Sequence, residues 1–309
     1  MTAVMTFYRF VELDRLDERR AELAAAADAG DLRGTVLLAA EGINGTLAGE
    51  RAALDVFHAQ LTAIPELVDL PVRYSDAAPD RTVFRRLKVL IKDEIVALKQ
   101  PGVRSGARTG QHVDWARWHA LLDDPDVVVI DTRNRYEIGV GTFPGAVDPG
   151  TRSFRQWPDW VGEHLKPDVH RRVAMFCTGG IRCEKASAWL LDQGFAEVYQ
   201  LDGGVLGYLE SVPAAHNRWR GECYVFDGRV AVDSGLTTGT RVQCDACGMP
   251  LSPADQADPA YEAGIACPHC APTQTPERRA RFAERVRQAD LTAARVQAAS
   301  RARGAAGDE

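Results

Sequence analysis

The sequence predicts an α/β protein built from several units, on three observations. Short apolar runs such as Asp126-Val127-Val128-Val129-Ile130-Asp131 alternate with helix-length stretches, the pattern of a buried parallel sheet with crossover helices. The chain of 309 residues is longer than one hydrophobic core usually serves. Its last third changes character, with two Cys-x-x-Cys pairs followed by an arginine-rich stretch. A net charge of −6 with 45% hydrophobic residues is ordinary for a soluble chain, and neither demands nor excludes a nucleic-acid partner. No window approaches the roughly 18 consecutive apolar residues of a membrane span. The first residues, Met1-Thr2-Ala3-Val4-Met5-Thr6-Phe7, lack the basic and long apolar regions of a secretory signal. Seven cysteines, four of them in the two pairs, fit a reducing cytoplasmic setting better than a disulfide framework.

Residues 1–97 alternate strand and helix signals. Residues 6–11 read as a strand, and 15–29 as an alanine-rich helix ended by Gly30. Gly34-Thr35-Val36-Leu37-Leu38-Ala39-Ala40 reads as a buried strand, turning at Glu41-Gly42-Ile43-Asn44-Gly45 into Thr46-Leu47-Ala48. A helix over about 50–64 and strands over 71–75 and 86–91 follow. This β-α-β-β-α-β order predicts a ferredoxin-like (acylphosphatase-like) α+β sandwich. Residues 98–111 form a linker by their glycine, proline and arginine content.

Residues 112–217 read as an α/β unit: a helix over 115–122, strands over 126–131, 173–176 and 197–201, and then the turn Asp202-Gly203-Gly204. A third segment, 218–309, holds the cysteine pairs and a helix over 276–303. Residues 304–309 look frayed.

The chemistry concentrates at Cys177-Thr178-Gly179-Gly180-Ile181-Arg182-Cys183. An apolar strand ends in a cysteine, and two glycines and an arginine lead into a helix. Such a loop aims backbone N–H groups at one point, and the helix dipole adds positive potential there. A thiol at that point ionises more easily, and the thiolate is the nucleophile. The alternative is a small buried hydrophobe at a strand end, but the glycines and Arg182 all favour the nucleophile. Cys183 is either an inert helix cysteine facing the core or a resolving thiol that closes a disulfide onto Cys177. Spacing alone leaves both open.

Cys244, Cys247, Cys267 and Cys270 have the spacing of a closed, structural four-thiolate zinc site. His269 is expected outside the ligand set. Basic character is local: eight arginines against three acids between Glu277 and Arg303, and a cluster of Arg81, Arg85, Arg86, Lys88 and Lys92. Either is a solvated face or a set of phosphate contacts. Phe154, Trp157, Trp160 and Tyr208 are aromatics near the loop that could stack a base, although core packing suits each one singly. No flavin, haem or nicotinamide motif is seen. His112-Val113-Asp114 has the His-x-Asp spacing of an iron site, but Asp114 reads more simply as a helix N-cap.

Residues 112–212 resemble the rhodanese family, through Asp131-Thr132-Arg133, Glu137, Gly141, Pro144-Gly145-Ala146, the cysteine loop and Leu201-Asp202-Gly203-Gly204. The resemblance implies a rhodanese-type parallel sheet with Cys177 as nucleophile. It implies that Thr178, Gly179, Gly180, Ile181 and Arg182 hold an anionic or persulfide group. Asp131, Arg133 and Glu137 would be structural, a strand-end Asp and an Arg–Glu pair bracing the loop. Thr142 departs from the pattern, since many members carry histidine there.

Taken together, Glu41-Gly42-Ile43-Asn44-Gly45-Thr46, Ala107-Arg108-Thr109-Gly110, Ile130-Asp131-Thr132-Arg133-Asn134, the block from Cys177 to Lys185, and Gly221-Glu222-Cys223-Tyr224-Val225-Phe226-Asp227 resemble the rhodanese-domain tRNA uridine hydroxylase family (TrhO) end to end. That resemblance implies oxygen-dependent formation of 5-hydroxyuridine at the wobble position, with O2 as co-substrate and the anticodon loop of tRNA as partner. Two other readings compete. One is a sulfurtransferase carrying a Cys177 persulfide, and the other a non-catalytic RNA-binding module.

Overall fold

The computed structural model describes residues 2–77, 83–100, 102–103 and 108–305, with the backbone alone at 293–294 and from 296 onward. Two compact units divide at Gly239/Thr240. In the first, the N-terminal part runs β1 (Thr2–Phe10), α1 (Leu16–Ala29), β2 (Arg33–Ala39), β3 (Gly42–Glu50), α2 (Arg51–Thr62), β4 (Val72–Asp76) and β5 (Leu87–Ile91). The sheet order is β4-β1-β3-β2-β5. Its first four strands are antiparallel, the order of a ferredoxin-like sandwich, and β5 adds to β2 in parallel.

Strand alternation sorts the two faces. Met5, Phe7, Val36, Leu38, Ile43 and Leu47 pack with Leu23, Leu54, Phe57 and Leu61 of the two helices. The opposite face carries Thr6, Tyr8, Phe10, Thr35, Leu37, Asn44, Thr46 and Arg73, and it lines a cleft. The turn read over residues 41–45 is shorter than expected. Only Ala40 and Glu41 turn, and β3 begins at Gly42, paired with Ala39. Gly42 has φ +144°, and a Cβ there would lie 2.0 Å from the Arg9 carbonyl oxygen, so glycine lets β1 and β3 close together.

The rest of the first unit is the α/β part: β6 (Gln111–Val113), α3 (Trp115–Asp123), β7 (Val127–Asp131), α4 (Arg135–Ile138), β8 (Gly141–Thr142), α5 (Trp157–His164), β9 (Arg172–Phe176), α6 (Ile181–Asp192), β10 (Glu197–Leu201) and α7 (Gly204–Ser211). The sheet order is β6-β10-β9-β7, all parallel. Trp118, Phe143, Phe176 and Trp219 interlock edge-to-face or tilted beneath it. Trp219 and Cys223 share that core, so residues 218–239 pack with this unit and not with the cysteine pairs. Here β11 (Arg220–Gly221) pairs with β8, and β12 (Cys223–Tyr224) with β13 (Ala231–Val232).

The second unit contains β14 (Val242–Gln243) paired with β15 (Pro250–Leu251), a short α8 (Pro253–Ala257) and the long α9 (Pro276–Ala305). Phe282 of α9 is buried with Leu251, Ile265, Cys244 and Cys267. Among the described residues no helix is long and apolar enough to cross a membrane.

Gly42→Ala is expected to lower the stability of the protein by about 2 kcal/mol or more, read as the urea midpoint, because the side chain meets backbone. An unchanged midpoint would show that the β1–β3 approach is not tight.

Candidate active site

Cys177 directly follows β9 and is wholly buried, at the floor of a cleft of about 1690 Å³. The loop that follows turns back over its sulfur. Gly180 makes this possible with φ +100°, and its N–H donates to Cys177 Sγ at 3.1 Å. The base of the loop is fixed from α7, where the Val205 and Leu206 N–H groups donate to the Cys177 and Thr178 carbonyls at 2.9 and 3.0 Å. Gly204 is required there, since a Cβ on it would lie 2.4 Å from the Cys177 carbonyl oxygen. The sequence signal for this support was the Asp202-Gly203-Gly204 turn.

Burial acts to raise the Cys177 pKa. A hydrogen bond from Cys183, the charge of Arg182, and the N–H groups of Arg182 and Cys183 outweigh it, and the thiol lies well below the ordinary cysteine range. Cys183 behaves oppositely: burial first, then its neighbour Cys177, hold it protonated. Thr132 Oγ1 lies 3.6 Å from the Cys183 sulfur. Cys223 is also buried, and burial pushes its thiol up to about 12.

Arg182 does not present a free fork. Its two terminal nitrogens donate to Glu137 Oε2 and Oε1 at 2.7 Å each, and Nη2 also reaches Thr178 Oγ1 at 3.3 Å. The rhodanese resemblance implies a pair between Arg133 and Glu137. In the structure the Arg133 guanidinium pairs with Asp131 instead, at 2.9 and 2.6 Å, and reaches only the carbonyl of Glu137. The chain geometry explains the exchange: Asp131 and Arg133 leave the end of β7 together, while Glu137 on α4 faces the loop. Thr142, where histidine is usual in rhodaneses, donates its hydroxyl to Asp131 Oδ2 at 2.9 Å.

The N-terminal sheet forms the roof. Tyr8 Oη stands over Gly180, 2.6 Å from where a Cβ would be. Burial, then Glu184 and Cys177, raise the Tyr8 pKa and keep it a neutral phenol. Lys185, 2% exposed, bridges Glu41 at 2.8 Å and Glu94 at 2.6 Å, fastening α6 to the N-terminal part. Arg73 reaches Glu210 at 2.9 Å. Nothing in the spacing of Tyr8, Glu41 or Arg73 marks these contacts, because the partners lie more than a hundred residues away.

Other sequence candidates fall elsewhere. Asp114 caps α3 by accepting from Arg117 N at 2.8 Å, and His112 pairs with Glu184 at 2.9 Å, so the two do not form an iron site. Trp157, Phe154 and Tyr208 are core residues, and Trp160 stacks on His164. Arg108 and Thr109 of the expected linker line the cleft, and Gly110 N–H bonds Ser187 Oγ at 2.8 Å. Ala107 and Arg81 lie outside the described residues. Arg85, Arg86, Lys88 and Lys92 are exposed.

In the second unit, the ligand atoms of Cys244, Cys247, Cys267 and Cys270 all lie within 4.8 Å of one another. The Cys267 sulfur is 3.7 Å from that of Cys247 and 3.6 Å from that of Cys270. A tetrahedron of thiolates about 2.3 Å from a metal has edges of about 3.8 Å, so this cluster could hold a metal ion. His269 pairs with Asp255 instead. Arg278 and Arg285 donate to the Ala246 and Asp245 carbonyls, so part of the basic helix face is spent holding the first knuckle.

Arg182→Met removes the cation nearest the thiolate and leaves Glu137 buried without a partner. The ultraviolet titration of the Cys177 thiolate is expected to move to higher pH, and the fold to lose about 3–5 kcal/mol. A titration unchanged from wild type in the folded variant would show that the loop N–H groups alone set the acidity.

The profile of the UPF0176 acylphosphatase-like domain matches residues 2–95, and that of the rhodanese-like domain residues 114–211. A solved rhodanese-like domain from Anabaena sp. is 20% identical, covering 36% of this chain and 78% of that one, with a TM-score of 0.30. An acylphosphatase from Coxiella burnetii is 13% identical over 29% of this chain and 92% of that one, with a TM-score of 0.21. A protein of Picosynechococcus sp. named tRNA uridine(34) hydroxylase is 50% identical over 279 residues, 90% of this chain and 93% of that protein. Identity of that extent runs through both domains and the cysteine segment, and the chain therefore belongs to the tRNA uridine(34) hydroxylase family.

Proposed function

We propose that this chain hydroxylates carbon 5 of the wobble uridine of tRNA, in the cytoplasm, with O2 as co-substrate and Cys177 as nucleophile. The observation that carries the reading is an acidified thiol on a cradle of N–H groups, facing a cleft with walls from two domains. At about 1690 Å³ the cleft exceeds the roughly 300–1,000 Å³ of a small-molecule pocket, which suits part of a polynucleotide. A base in a single-stranded loop is extruded at a cost of only a few kcal/mol.

In this reading the Cys177 thiolate adds to carbon 6 of the extruded uracil. The carbon 5–carbon 6 π pair moves onto oxygen 4, and the enolate is stabilised by the loop N–H groups and the charge of Arg182. Carbon 5 of the enolate then bonds to O2. Two electrons and two protons cleave the O–O bond and release water, leaving a hydroxyl on carbon 5. Loss of the carbon 5 proton expels the thiolate and restores the ring. A cellular dithiol supplies the two electrons and two protons and is oxidised to its disulfide, since the Cys177 sulfur stays bonded to carbon 6 until the last step.

The test is an anticodon stem-loop carrying 5-fluorouridine at the target position. Wild-type protein is expected to form a covalent adduct mapped to Cys177, and Cys177→Ser to form none and to lose 5-hydroxyuridine formation. Full hydroxylation by Cys177→Ser would falsify the scheme, and thiolated nucleosides as the product would establish the sulfurtransferase reading instead.

We also assign Zn2+ to the four-cysteine cluster. Four thiolates close its tetrahedron, so the ion supplies folding free energy and no catalysis. Stripping the metal with a chelator is expected to abolish hydrogen-exchange protection over residues 242–292, while the thiolate titration of Cys177 stays in place. Metal-free protein that keeps that protection would remove the assignment.

A further inference from the structure

One aromatic side chain at the cleft stands largely open to solvent. Phe226 is 57% exposed and lines the cleft, the one such residue among the large apolar side chains left exposed in the described part of the chain. Its ring centroid is 5.8 Å from the guanidinium carbon of Arg182, at the edge of the cysteine loop. Edge-to-face packing on Tyr224 at 5.1 Å, itself edge-to-face with Tyr136 at 5.2 Å, supports it from below.

The backbone around Phe226 is fixed. Val225 N–H donates to Val230 O and Val230 N–H to Asp227 O, each at 3.0 Å, closing the turn. The Arg229 guanidinium grips Asp227 at 2.6 Å and Ser75 Oγ at 2.7 Å, and Gly228 N–H bonds the Val83 carbonyl at 2.9 Å. The turn is thus tied to the N-terminal sheet on one side and to β12 on the other. An exposed ring on a mobile loop could fold away from water; this one is held at the rim. Aromatic faces presented in this manner stack nucleobases of single-stranded RNA with little regard for sequence.

Resting on the tRNA reading above, we infer that Phe226 is the stacking platform for a nucleobase adjacent to the target uridine. Depth decides between target and neighbour. Cys177 lies at the floor with no exposure, whereas Phe226 stands at the rim. The base that enters leaves a gap in the loop's own stack, and the next base covers the phenyl ring. Phe226 is a positioning residue in this role, holding the strand so that one base can go down to the thiolate.

The experiment compares wild type, Phe226→Ala, Phe226→Leu and Phe226→Trp on an anticodon stem-loop. Loss of one base–aromatic stack is expected to raise KM roughly fivefold or more in the Ala and Leu variants, with Trp restoring it. The thiolate titration of Cys177 should be the same in all four, which separates stacking from damage to the loop. Stem-loops with 5-iodouridine beside the target should photocrosslink to Phe226, mapped by mass spectrometry. A Leu or Ala variant with wild-type KM, or crosslinks from the target base alone, would overturn the inference. Wild-type protein that neither binds nor hydroxylates the stem-loop would overturn the tRNA reading, and this inference with it.

Discussion

The buried ion pair between Arg182 and Glu137 is the interaction on which the site depends. A thiolate without solvent exposure is unfavourable unless positive potential stands close by, and an isolated buried guanidinium is equally unfavourable. Glu137 resolves both at once. It satisfies the two ends of the Arg182 fork and leaves the cation beside Cys177. Glu137 is itself set by what precedes it. Asp131 and Arg133, both without exposure, lock the exit from β7, and Thr142 anchors Asp131 from β8. The order of dependence runs from strand end to short helix to arginine to sulfur. Each member is buried, so the geometry at the sulfur is fixed before any substrate arrives.

The second constraint is the sheet that has helices on one face only. Its other face carries threonines, aromatics and arginine, too polar to be a core and too apolar to be simply wet. It lies over the cysteine loop, and Lys185 holds it there through two carboxylates from different segments of the N-terminal part. Lys185 sits one turn into the helix that begins with Ile181, so the same helix start both cradles the thiol and carries the fastening.

Elements with strong local periodicity were legible in the sequence: the parallel strands, the βαββαβ order, and the four cysteines whose spacing alone implies a cluster. The loop was legible because glycine, arginine and a strand-to-helix junction agree at one place. The pairing of charges was not. The resemblance implies an Arg133–Glu137 pair, yet their side chains leave different elements, and the Glu137 carboxylate finds Arg182 across 45 residues of chain. The turn after β2 was read too long because Gly42 and Gly45 look like turn residues. Here they are strand positions where another strand or the Phe7 ring comes too close for a side chain. Of the aromatics read as neighbours of the loop, Phe154, Trp157 and Tyr208 proved to be core, since large aromatic side chains are usually drawn inward.

The loop alone does not determine what the thiolate attacks. An acid thiol in an N–H cradle serves a persulfide as well as a uracil adduct, because both need stabilisation of negative charge at one point. The roof and rim make the difference. Cys177 lies beneath a broad cleft whose walls bring Tyr8, His112, Arg108 and Phe226 from separate segments. Such walls contact a substrate over several groups and orient a planar ring above the sulfur, and orientation of that kind is what addition to carbon 6 of a pyrimidine requires. In the proposed reading the specificity of the chemistry resides in the joining of the two domains, and the reactivity in the loop between β9 and α6.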